Sequence, residues 1–164
     1  MKKQNYLFYG LSMSIVLIVL SLLYYFAGLS QANWTMYINI VVLVVGIIVS
    51  CNNYSQINDG KVTFGNIIGS GFKATLIIVI VNTLFSVFLV YIFPDIKQLT
   101  LESARKTLEK QGQQGELLEQ SMRFTEKMFM FLLVAGSLFS TLVAGTIAAI
   151  IGAAVGKKEK ALNR

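Results

Sequence analysis

Few side chains in this sequence are equipped for chemistry. It has no histidine, which removes the commonest general base and the commonest transition-metal ligand. One cysteine, Cys51, excludes an internal disulfide and a multi-cysteine metal site. Cys51 closes an apolar run, a place that suggests acylation at most. The eight carboxylates all lie outside the apolar runs, among bases, and no nucleophile has a base beside it. The stretch Phe64-Gly65-Asn66-Ile67-Ile68-Gly69-Ser70-Gly71-Phe72 has the glycines of a phosphate loop. It lacks the Walker spacing (GxxxxGK, then Ser or Thr) and no strand precedes it, so it reads as a closely packed helix start at a membrane surface. No catalytic residue, metal ligand or cofactor site is assigned, and a non-enzyme is expected.

The remaining candidates are polar or small residues inside apolar runs. Asn82 falls near the middle of the third run, beside Thr83 and Ser86, and Asn39 toward one end of the second. In lipid a buried amide seeks a partner, and such a bond contributes about 0.6–2 kcal/mol. Interhelical bonding is the expected role of Asn82, with contact to a solute as the rival. No Asp, Glu, Arg or His lies within a run, which disfavours a proton-driven transporter. The fourth run carries two strips of small residues at four-residue spacing: Thr141, Gly145, Ala149, Ala153 and Ala144, Ala148, Gly152, Gly156. Such strips let helix backbones approach closely. Packing within the chain's own bundle is expected of Gly145, Ala149, Gly152 and Gly156, and a self-association seam is the other use.

The elements that must position these residues follow from charge. The chain is 55% hydrophobic and 13% charged, and no charge falls between Lys3 and Asp59. A soluble surface rarely leaves that much chain uncharged, and lipid suits it. A bilayer core is about 30 Å thick and needs about 20 helical residues. Four runs qualify, at about 7–29, 34–51, 74–93 and 128–156. Helices are expected rather than strands, because lipid satisfies no backbone hydrogen bonds and the runs lack barrel-like alternation. Ser30-Gln31-Ala32 resembles a signal-cleavage site, but the 23-residue run before it exceeds a usual signal core, so a retained helix is expected. The fold class is therefore all-α, a single polytopic membrane domain over 1–164. Trp34 and Lys73 stand at the edges of the second and third runs, where an indole and a snorkelling ammonium meet headgroups.

The connections differ in kind. Ser30 to Asn33 is a tight turn. Asn52 to Lys73 opens with turn residues (Asn52, Asn53, Asn58, Asp59, Gly60), after which Thr63 caps a helix starting at Phe64. Residues 95–127 form a charged helical hairpin. Leu101, Ala104 and Leu108 share one stripe of its first helix, and Leu118, Met122 and Thr125 one side of its second. Glu102 is placed to pair with Arg105 or Lys106, and Arg105 with Glu109. Gly112 and Gly115 break the helix and make the bend of the hairpin, and its second helix is expected to continue unbroken into the fourth span.

Eight of the fourteen Lys and Arg residues flank the spans: Lys2, Lys3, Lys61, Lys73, Lys157, Lys158, Lys160 and Arg164. The hairpin carries six bases and six acids. The bias puts both termini in the cytoplasm and the hairpin outside. The net charge of +6 is thus spent at the membrane rather than on a soluble basic face, and no nucleic-acid partner is expected.

Several stretches combine into a familiar order. Gly60-Lys61-Val62-Thr63-Phe64-Gly65 opens the third helix and Pro94-Asp95 ends it. The Gln/Glu-rich hairpin runs from Leu108-Glu109-Lys110-Gln111-Gly112 to Glu119-Gln120-Ser121-Met122, and Lys-Lys-Glu-Lys follows the fourth helix. Over nearly its whole length the chain resembles a bacterial family of small membrane proteins known as domain of unknown function forty-one ninety-nine. The resemblance implies four membrane helices and a bacterial inner-membrane address. It implies no activity and no functional residues. The function expected is structural or accessory, with membrane lipids and an envelope protein or a second copy as partners. The alternative is a small homo-oligomeric transporter or channel subunit.

Overall fold

The computed structural model describes residues 3–30 and 32–162; the side chains of Asn33 and of residues 157–162 lie outside the description. So do Gln31 of the cleavage-like motif and the basic groups of Lys2, Lys157, Lys158, Lys160 and Arg164. The described residues form six helices and no strand: α1 (Tyr6–Phe26), α2 (Asn33–Ile57), α3 (Phe64–Ile92), α4 (Asp95–Lys110), α5 (Gly115–Lys127) and α6 (Phe129–Leu162). Four are long and apolar enough to cross a membrane: Tyr6–Phe26, Trp34–Ile57, Phe64–Ile92 and Phe129–Gly156. Their apolar side chains, such as Phe8, Ile15, Val41, Val45, Ile80 and Ile147, are largely exposed. In water that would be costly, and in lipid it is the natural surface.

Helix ends follow local chemistry. α1 stops at Phe26, three residues short of the apolar run, because Gly28 turns left-handed at φ +69°. α2 continues past Cys51 to Ile57, so Asn52 and Asn53 are helical and not the turn expected of them. Tertiary hydrogen bonds of Asn53, Ser55 and Asn58, described below, hold this end of α2 helical despite its weak helix formers. The turn falls later, at Asp59 (φ +53°) and Gly60 (φ +57°). Thr63 caps α3 as its type suggests, its Oγ1 accepting from the Asn66 backbone N–H at 3.3 Å.

The chain divides into two compact units, one formed by residues up to Asn82 and from Leu138 onward, the other by Thr83–Ser137. In the first, α1, α2 and the adjoining parts of α3 and α6 pack around Leu17, Leu43, Ile47, Cys51, Tyr54, Ile67, Ile78 and Ala149.

The second unit contains the α4–α5 hairpin. Gly112 (φ +86°) and Gly115 (φ +60°) make its bend. Leu118 is buried, and Leu101, Ala104, Leu108, Met122 and Thr125 are half-buried. Contrary to the expected continuity, the helix is interrupted at Met128 (φ −97°, ψ 9°) between α5 and α6. Hydrogen bonds still bridge the gap, from Met128 N–H to Phe124 O and from Leu132 N–H to Met128 O, each 2.9 Å. The offset accompanies burial of Phe129, whose ring lies under the Lys97 ammonium at 5.9 Å. Elsewhere in this unit Thr83 and Ser137 share a hydroxyl hydrogen bond of 3.1 Å, joining α3 to α6.

Candidate functional site

The densest polar arrangement gathers where the N-terminus, the end of α2, the start of α3 and the end of α6 meet. Asn5 occupies the residue before α1 but makes no side-chain cap. Instead its Nδ2 donates to Ser50 O at 2.9 Å and to Asn53 Oδ1 at 3.0 Å, and its Oδ1 accepts from Ser70 Oγ at 3.1 Å. One buried amide thus ties the N-terminal segment to α2 and α3. Asn58 adds a second tie, accepting from Lys3 N at 2.9 Å and donating to Lys3 O at 3.1 Å and Tyr54 O at 2.9 Å. Ser55 Oγ donates to Gly156 O at 3.4 Å and so brings in α6.

Cys51 stands at the centre of this end, fully buried. Its thiol lies 3.7 Å from Ile67 O and 3.8 Å from Ala149 O. Enclosure by α3 and α6 overturns the idea of acylation there, since the sulfur has no open path to an acyl chain. It is a packing residue that places a weak donor among helix carbonyls.

Glycines let the helices come this close. A Cβ on Gly71 would stand 2.5 Å from Cys51 Sγ and 2.9 Å from Ala149 Cβ. One on Gly152 would stand 2.8 Å from Cys51 Cβ and 3.0 Å from Ile48 Cα, and one on Gly145 would run into the Thr75 side chain. Gly156 sits over Asn52 and Ser55, and Ala149 is fully buried. All four small α6 residues singled out in the sequence therefore face neighbouring helices of the same chain. Asn82 donates to Ile78 O of its own helix at 3.0 Å and is partly buried.

Sequence reasoning missed Asn5, Ser70 and Gly71 as a group, and also two close approaches of α1. A Cβ on Gly10 would meet Ile77 Cβ at 2.8 Å, and Gly46 receives the Met13 side chain. The available signal was small residues four apart on the other helices, Gly10/Ser14 on α1 and Gly46/Ser50 on α2.

The edges of the spans carry the aromatic and basic groups. Tyr6 and Tyr24 lie about 27 Å apart along α1 at helical rise, close to the thickness of a bilayer core. Trp34 is exposed, with its ring edge-on to Tyr24 at 5.9 Å. At the other end of α1, the exposed Lys73 sets its ammonium 5.4 Å from the centre of the Tyr6 ring.

In the hairpin, Arg105 bonds Glu119 across the bend at 2.6 Å and Glu109 along α4 at 3.3 Å, while Lys97 pairs with Glu126 at 3.6 Å. Arg105 reaches Glu109 as its spacing suggests and takes Glu119 rather than Glu102. The hydrogen bond and charge of Glu119, then the hydrogen bond to Glu109, push the Arg105 pKa above its ordinary value. The guanidinium therefore stays charged throughout the working pH range.

Four apolar spans with lipid-suited surfaces and interiors joined by small residues and buried amides define a multi-pass helical membrane protein. Residues 8–158 match the family described as Protein of unknown function (DUF4199), and the chain belongs to that family. No curated protein and no solved structure matches it.

Proposed function

We propose that the protein is a non-enzymatic structural or accessory component of the bacterial cytoplasmic membrane. In this reading both termini are cytoplasmic and the α4–α5 hairpin is a docking surface for an envelope protein on the outer side. The observation carrying the reading is a pair of side chains. Leu117 and Phe124 are 58% and 61% exposed, seven residues apart on one face of α5, while neighbouring Leu118 is buried. They are the only large apolar side chains of residues 95–127 exposed among the described residues. The hairpin's ion pairs and balanced charges leave little net field, so a partner with an apolar, weakly charged contact fits best. The transporter or channel alternative has less in its favour, because the α6 strip it needs as a seam is already occupied by α2 and α3 of the same chain.

The test is a photo-crosslinking side chain at Phe124 in native membranes. A discrete protein adduct, lost on Leu117→Glu, is the expected outcome. Adducts to lipid alone would remove the docking role.

A further inference from the structure

α3 carries an open face in the first unit that the bundle does not use. Gly65, Gly69, Phe72, Lys73, Leu76 and Ile80 recur at three- and four-residue spacing along it. The large side chains among them are exposed. Unlike Gly71, which is filled by Cys51 and Ala149, Gly65 and Gly69 would present a Cβ to nothing within 4 Å. The result is an open, side-chain-free surface at the start of α3 that continues into an apolar strip. Lys73 stands where the two meet and is the only charge on this face. Its ammonium is steered to the α1 side by the Tyr6 ring at 5.4 Å, a placement that favours a fixed cation over a freely snorkelling one. Tyr6 is itself anchored, since Asn5 before it holds Ser50, Asn53 and Ser70.

The surroundings set the sign. Lys3 and Lys61 lie in the neighbouring segments with Asp59, and the end of α6 that meets them carries Glu159 among Lys157, Lys158 and Lys160, so bases outnumber acids in the sequence at this end of the bundle. From Lys73 to Ile92 is about 29 Å at helical rise, so with the far end of α3 at one edge of the hydrocarbon, Lys73 stands at the other. Gly65 and Gly69 then fall at headgroup depth, and Leu76 and Ile80 at acyl depth.

We propose that this face is a binding site for one anionic phospholipid. The phosphate pairs with Lys73, the headgroup lies along Gly65 and Gly69, and an acyl chain follows Leu76 and Ile80. An uncharged apolar partner leaves Lys73 unpaired, and a free phosphate leaves the strip beyond it uncovered. The lipid alone satisfies both parts.

The experiment is native mass spectrometry of the full chain in mild detergent with equimolar phosphatidylglycerol and phosphatidylcholine. Phosphatidylglycerol adducts should exceed phosphatidylcholine adducts several-fold. Lys73→Leu should bring the ratio close to one, Lys73→Arg should keep it, and Lys110→Leu on the hairpin should leave it unchanged. Gly69→Leu tests the glycine surface with the charge intact, and its side chain enters open space, so the bundle stays folded. It should lower phosphatidylglycerol retention several-fold. Equal retention of the two lipids by the unaltered chain, an unchanged preference in Lys73→Leu, or full displacement by millimolar inorganic phosphate would each overturn the proposal.

Discussion

Asn5 shows how much one amide does where water is scarce. It bonds three partners from α2 and α3, and truncation strands a carbonyl and two side-chain groups in a closed space. Asn5→Ala is expected to destabilise the bundle by about 1–3 kcal/mol, measured by reversible unfolding in mixed micelles; an unchanged midpoint would refute the role. The glycines make a sharper comparison, because two that stand only two residues apart should respond in opposite directions. Gly71→Ala forces a Cβ against Cys51 Sγ and Ala149 and should cost about 1–3 kcal/mol by overpacking. Gly69→Ala enters open space and should stabilise by about 0.5–1 kcal/mol through helix propensity alone. The same unfolding assay decides both. None of this difference is visible in Gly69-Ser70-Gly71 as a string. Residue type reveals that close approach is permitted, while the identity of the approaching helix depends on the rotation of α3 in the bundle. Asn5 was hidden for a similar reason: before a helix, an asparagine is ordinarily a cap, and only tertiary structure diverts its side chain.

The spans and the hairpin were legible in the sequence because lipid and helix geometry impose strong, local rules. Uncharged runs of the right length, a threonine before Phe64, and Gly112 and Gly115 in a charged stretch each act through their own backbone or their own solvent. What failed was the end of α2 and the junction at Met128, where distant partners override local preference. Asn52 and Asn53 stay helical because the bonds of Asn53, Ser55 and Asn58 reach the N-terminal segment and α6. The hairpin's own coherence depends on Arg105, which joins α4 to α5 through Glu119. Its pairs are exposed, so salt should screen them. Arg105→Gln is expected to speed amide exchange several-fold across α4 and α5 and to leave α1–α3 unchanged, and 0.5 M salt should do the same to the unaltered chain. Uniform exchange rates in the variant would show that apolar packing around Leu118 holds the hairpin without the ion pairs.

For the molecule as a whole, the proposed topology has four crossings, an even number, which puts both chain ends on one side and residues 95–127 on the other. The bonds joining Lys3 to Asn58, Asn5 to Ser70 and Ser55 to Gly156 agree with this, since they bring the N-terminal segment, the end of α2, the start of α3 and the end of α6 to one place. The side is set by basic residues, which resist translocation where they cluster beside a span. Lys2 and Lys3 face an uncharged turn across the first helix, and eight Lys and Arg residues flank the spans against six in the hairpin. Both features favour a cytoplasmic N-terminus. A cysteine at the exposed positions Gln114 or Lys61 makes this measurable, because Cys51 is enclosed and should not compete for reagent. In intact cells a membrane-impermeant maleimide should label Gln114→Cys at once and Lys61→Cys only after permeabilisation. The reverse pattern would place the hairpin in the cytoplasm and withdraw its envelope partner. It would leave the lipid site on α3 standing, with the opposite leaflet as its source.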